Sequence, residues 1–284
     1  KDDKPHGQWD LYDENGALSS FGRFDHNKKE GLWTLQNDKG EIVKQISYNN
    51  DERDGQTLSF ENNVLQQKAN FTQGEVDGEV INYSPRGAIM TKMNYKKGAL
   101  DGPYISFFKN GISKNYELTY ANDTAKGTIN YYFKNGALYS TLNLKNDMRN
   151  GLEKTFYSDS AIYSELYYKD NLLDGEQKYY FHNGQISSTG KTTAGIYEGE
   201  WKEYYMDGTI ETSTQYSKGE IDGIQTNYNS KGQKESEYTY KRGNFIGYKY
   251  NASVLRKKMV INKYNTSFES LTESLEEEIG ENEG

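Results

Sequence analysis

Large apolar side chains return along this chain at a fixed interval of about 24 residues. The clearest copy runs from Gly199 to Asp222, GEWKEYYMDGTIETSTQYSKGEID, and the pattern restarts at Gly223. Leading glycines stand at Gly7, Gly31, Gly55, Gly78, Gly102, Gly127, Gly151, Gly175, Gly199, Gly223 and Gly247; of the ten intervals, eight are 24 residues, one is 23 and one is 25. Such a period marks a repeat architecture. Counting each leading glycine as zero, +5 is aromatic in nine of ten repeats, from Tyr12 to Tyr228, with Gln36 the exception. Position +11 is aliphatic (Leu18, Ile42, Ile186, Ile210), +17 is large and apolar (Phe24, Tyr48, Tyr168, Tyr216), and +13 is often Ser or Thr. Strand side chains alternate faces, so the odd positions within a strand share one side.

The breaks between apolar runs are equally regular. A second glycine follows at +9, often after Asn or Asp: Asn15-Gly16, Asn135-Gly136, Asn183-Gly184, Asp207-Gly208. This is a strong hairpin signal, because glycine takes a positive φ at no steric cost. The leading glycine tends to follow an acid, as at Glu30, Asp54, Asp77, Asp101, Asp174, Glu198 and Asp222, which reads as a second turn. The sequence therefore predicts an all-β fold: a single elongated, twisted antiparallel sheet of about ten hairpin repeats, spanning roughly 95 Å at about 4.8 Å per strand. One hairpin is unstable alone, so neighbours must hold one another. The 25-residue repeat places its extra residue near Leu118–Asn122, and this and Gly190, Thr192 and Gly195 suggest either bends or surface decoration.

The pattern G-x-W-x-x-Y-Y-x-x-G-x-I, best seen in Trp201, Tyr204, Tyr205 and Gly208 and in Trp9, Tyr12 and Gly16, resembles the bacterial variant of the MORN (membrane occupation and recognition nexus) repeat. The resemblance covers about residues 6 to 250; Asn63 and Ser160 depart from it at the turn glycine. It implies an open array of hairpins with an interaction role. Some bacterial members are described as antitoxin-like, and eukaryotic relatives with membranes and scaffolding. Such a motif specifies a fold far more than a ligand.

Composition fits a thin, tyrosine-rich sheet. Apolar residues make up only 33% of the chain and mean hydropathy is −1.01, yet 14% is aromatic, with 26 tyrosines. That aromatic content separates it from disordered chains. A net charge of −8 argues against nucleic acid or an anionic membrane as partner. The absence of cysteine removes disulfides, thiolate metal sites and thiol nucleophiles. The opening Lys1-Asp2-Asp3 resembles the acidic stretch behind the lipidated cysteine of some surface lipoproteins, implying membrane proximity through a lipid anchor. The triplets at Thr124 and Ser160 resemble O-glycosylation sites of envelope proteins.

The sequence divides into a lead-in over 1–6, repeats over 7–246, a capping segment over 247–265 and an amphipathic stretch over 266–284. In the last, Phe268, Leu271, Leu275 and Ile279 recur at helical spacing. They form either a cap on the last strand or a docking helix.

No residue group calls for catalysis. His6, His26 and His182 occupy unrelated positions, whereas a metal needs converging ligands. The acids before the leading glycines follow the repeat, while a catalytic pair would break it. No cofactor or metal is expected. The even positions carry Trp9, Trp33, Tyr104 and Trp201 at +2, and Phe108, Tyr157 and Tyr205 at +6. An aromatic face of this kind either packs on neighbouring strands as a second thin core or marks an interaction surface. The sequence thus points to a non-enzymatic scaffold binding a protein partner in a bacterial cell envelope. An antitoxin-like neutralising protein, or a carbohydrate- or lipid-binding module, is the alternative.

Overall fold

The computed structural model describes residues 4–251. The expectations for 252–284, including Phe268, Leu271, Leu275 and Ile279, lie outside the described residues. Within them the secondary structure is all β: 23 antiparallel strands of one open sheet, from Gly7–Tyr12 to Asn244–Tyr250. Successive arms pair in order, as in a meander. Two arms are split at Asp77 and Asn150, just before leading glycines. The chain divides between Gly175 and Glu176 into two compact units.

The two turns of each repeat differ from the expected ones. After +5 the chain makes a three-residue turn. Asp13 N–H donates to the Ala17 carbonyl at 2.9 Å, and Gly16 N–H to the Asp13 carbonyl at 3.1 Å, with Gly16 at φ +79°. Asn15 keeps an ordinary negative φ, so this is a type I turn closed by a glycine bulge, not a two-residue Asn-Gly turn. The short repeat of Gly55 replaces it with a two-residue turn at Asn62-Asn63, φ +49° and +60°, which accounts for its missing residue. The extra residue of the Gly102 repeat lies in the turn Phe108–Ser113, not near Leu118–Asn122. An insertion inside a strand would exchange its faces, whereas a turn absorbs it.

The other turn is not at the leading glycine. It falls about five residues earlier, at pairs such as His26-Asn27, Asn50-Asp51, Asn122-Asp123 and Lys218-Gly219, where both residues have positive φ. These are type I′ turns. The leading glycine sits within a strand, in a bulge where three residues face one: Phe21 pairs with Thr34, but Arg23 pairs with Glu30. Gly223 adopts φ +131° there, a conformation side chains rarely enter. The acid before the glycine lies at the bulge: Glu30 and Glu198 are the last paired residues before it, and Asp54 and Asp222 fall inside it. The acid's carboxylate reaches the next type I′ turn: Glu30 accepts the Asn50 N–H at 3.1 Å, and Glu198 accepts the Lys218 N–H at 2.9 Å.

The type I′ turns also bind one another. Asp123 N–H donates to the Leu100 carbonyl at 2.9 Å, and Leu100 N–H returns a bond to Asp123 Oδ1 at 2.8 Å. Asp51 with Lys29, and Asn171 with Arg149, make the same pair of bonds. Where the second turn residue is glycine, as at Gly98 and Gly219, the backbone bond alone remains.

Register decides which side is the core. Paired positions sum to 17, so an even position on one strand faces an odd one on the next: Trp33 meets Ile46, Val80 meets Met93, Ile129 meets Leu142. Positions +2, +4, +13, +15 and +17 thus share a face, and the deepest side chains lie at +2, +13 and +15. Those at +5, +11 and +17 are mostly half-buried. In the first unit this core is apolar, centred on Leu118, Ala125, Ile129 and Leu142 with Tyr104, Tyr116, Tyr120 and Tyr131 against them. Glu153 interrupts it at +2, bonded by Ser140 at 3.0 Å and approached by Arg149 at 3.6 Å. In the second unit the buried residues are polar: Gln177, Thr192, Thr214, Thr226 and Ser236.

Candidate interaction face

The structure separates the aromatics that the sequence grouped together. Trp33 is 0% exposed and belongs to the core, so it offers no surface. It lies across Gly22, where an added Cβ would come within 2.4 Å of the indole, and its Nε1–H donates to the Arg23 carbonyl at 3.1 Å. Trp201 lies on Gly190 in the same manner and donates to the Lys191 carbonyl. Gly190 is thus the floor of a tryptophan site rather than a bend. Tyr104 is half-buried in the tyrosine cluster, stacked on Tyr116 at 5.8 Å. Trp9, on the first strand, is exposed and packs edge-on to Phe24. The +6 residues Phe108, Tyr157 and Tyr205 open the turns that follow +5 and are half-buried. The Tyr205 hydroxyl donates to the Tyr228 carbonyl at 2.8 Å.

Besides Trp9 and Tyr12, exposed rings stand at positions the periodicity did not single out. Tyr139 and Tyr163, both at +12, are 47% and 46% exposed, and Tyr167 at +16 is 43% exposed. Both +12 tyrosines are bulge residues. Tyr131 pairs with Ser140 and Tyr132 with Leu138, leaving Tyr139 without an opposite residue in the ladder; Tyr163 is placed likewise between the pairs of Ser164 and Ile162. A bulge re-aims the extra side chain, here outward. Phe133 and Tyr157 brace these rings edge-on at 5.1 and 5.3 Å. Tyr139 and Tyr163 are one repeat, or two strands, apart, about 10 Å. Between Tyr163 and Tyr167, Glu165 pairs with Lys154 at 2.8 Å. The signal in the sequence was the aromatic directly after the +11 aliphatic, in Leu138-Tyr139 and Ile162-Tyr163.

Electrostatics in the first unit hold the sheet together. Burial, then the neighbouring Glu117, pushes the Tyr132 hydroxyl up to about 12, and it donates to that carboxylate. Burial of Glu117 works against its charge, but the Lys114 ammonium and the Tyr132 hydroxyl outweigh it and hold the carboxyl below its ordinary range. Burial and the Tyr116 hydroxyl keep Tyr104 neutral well above the usual phenol range.

Two of the histidines are not unrelated in space. His6 and His26 both reach Asp25, and their rings lie 5.5 Å apart.

The sequence matches no curated protein. Among solved structures, the chain is similar to the one described as "Crystal Structure of TcdB2-TccC3-Cdc42", at 12% identity over 85% of this chain, with a TM-score of 0.17. The one described as "Crystal Structure of TcdB2-TccC3" is similar at 12% identity over 80% of this chain, with a TM-score of 0.18. This chain spans only 16% of either of those chains. Within the repeats, residues 149–170 and 173–192 match the family described as the MORN repeat variant.

Proposed function

We propose that this protein is a non-enzymatic repeat scaffold that binds a protein partner through the outward aromatic row Tyr139, Tyr163 and Tyr167, in the bacterial cell envelope. The supporting observation is that two of the three rings sit at register shifts of the ladder, in bulges, and are braced by Phe133 and Tyr157. Rings held rigidly outward lose little side-chain entropy on binding, and tyrosine is enriched among residues that dominate interfaces. The match to the MORN repeat variant over 149–192 includes Tyr163 and Tyr167 and agrees with a scaffold role.

The test is co-purification from gently solubilised source cells, comparing the natural chain with a Tyr139→Ala/Tyr163→Ala/Tyr167→Ala variant. A stoichiometric protein retained by the natural chain and lost by the variant, with thermal stability of the sheet maintained, supports the reading. Equal retention by both overturns the row as the binding site. Retention of glycan with no protein partner overturns the partner class.

A further inference from the structure

We propose that His6, Asp25 and His26 form a binding site for a divalent transition-metal cation of the zinc class. Their ligand atoms all lie within 4.8 Å of one another. Nδ1 of His6 is 2.9 Å from Asp25 Oδ1, and Nδ1 of His26 is 2.8 Å from the same oxygen. Imidazole nitrogen and carboxylate oxygen bind zinc at about 2.0–2.2 Å, so ligand atoms around a tetrahedral ion stand a little over 3 Å apart. A small spreading of the present contacts admits the ion. Three protein ligands leave its fourth position to solvent, and the side chains are exposed enough for it to enter.

The backbone under the ligands is pinned. Asn27 N–H donates to the Pro5 carbonyl at 2.8 Å, and Trp9 Nε1–H donates to the His6 carbonyl at 3.4 Å. These bonds hold the lead-in against the first type I′ turn, of which His26 is the first residue, φ +46°. The adjacent lysines are directed elsewhere: Lys28 points toward Asn50 Oδ1, and Lys29 lies over the Trp33 and Tyr48 rings.

The arrangement also breaks the repeat. His6 occupies the place before the leading glycine where Glu30 and Glu198 bind the next turn. Asp25 and His26 stand where the following repeat has Asn49 and Asn50. Two of the chain's three histidines therefore depart together from the pattern and meet at one carboxylate. Ligands chosen for the fold alone have no reason to do so.

The equivalent residues of the next repeat supply fold-compatible controls. Zinc is titrated calorimetrically into full-length, tag-free protein, alongside Asp25→Asn and His26→Asn. One equivalent bound by the natural chain, weakened at least about tenfold in each variant at unchanged melting temperature, is the expected result. No binding by the natural chain, or equal binding by the variants, overturns the site. A second readout needs no variant: substoichiometric Co²⁺ broadens the ring proton signals of His6 and His26 and leaves His182 sharp. Broadening of all three, or of none, overturns it as well.

Discussion

At the scale of the residue, the tryptophans show how a repeat admits its largest side chain. Trp33 and Trp201 each need the position facing them on the preceding strand to be glycine, and Gly22 and Gly190 meet that need. Neither glycine has a positive φ, so their role is space, not backbone freedom. Gly22→Ala drives a methyl group into the indole and is expected to destabilise the protein by about 1–3 kcal/mol. Guanidinium denaturation followed by tryptophan fluorescence measures this. Combining it with Trp33→Leu, which vacates the volume, is expected to recover part of the loss. The pairing was legible in principle, since both glycines precede a tryptophan by 11 residues. Counting odd and even positions hides it, because that count sets Trp33 opposite the +5, +11 and +17 columns. The three-residue turn and the bulge make paired positions sum to an odd number, so parity changes sides between neighbouring strands.

At the scale of the element, period and hairpins were read directly from spaced glycines and tyrosines, but the joints were not. Asn15-Gly16 resembled a two-residue turn and is part of a three-residue one. Asn50-Asp51 and Asn122-Asp123, which carry no glycine, are the type I′ turns. Asn and Asp tolerate the left-handed region, and here the second residue gains a further bond to the preceding turn. Asp123→Gly preserves the turn geometry yet removes the bond accepted from Leu100 N–H. It is expected to cost about 1 kcal/mol by urea denaturation, while Asp123→Asn, which copies Asn171, is expected to be nearly neutral. Equal losses would show that side-chain bonding between turns contributes nothing. Bulges left even less trace. Their leading glycine looks like a turn glycine, and only the longer arm around it distinguishes the two.

At the scale of the molecule, the two units differ in what they bury. The first holds Trp33, Ile46, Val80, Leu118, Ile129 and Leu142, whereas the buried side chains of the second are Gln177 and small hydroxyl residues. Gln177 and Thr192 bond each other at 2.8 Å, but hydrogen bonds contribute less net stability than buried aliphatic groups. In an array held by nearest neighbours, local stability follows local burial. Hydrogen exchange followed by mass spectrometry is therefore expected to run slower for the strands between Leu118 and Leu142 than for those between Ile210 and Lys241. Uniform protection would mean that the sheet opens as a single cooperative block. This contrast was hidden in the sequence, where both halves carry similar tyrosines at +5 and +17. The difference lies at +2 and +15, which became central only once register was known.

The unequal joints also set where such a protein can grow. Type I′ turns are tied to their neighbours by backbone bonds, reciprocated where the second residue is Asp51, Asp123 or Asn171, so a longer loop there would sever the link between successive repeats. The turns on the opposite border are linked through side chains, Asn135 to the Ser158 carbonyl and Asn183 to the Met206 carbonyl, and at Phe108–Ser113 one already accommodates an added residue with pairing intact on both sides. Lineages that lengthen or decorate these repeats have one permissive border to work with. A peptide grafted for display belongs on that border, beside the bulge tyrosines.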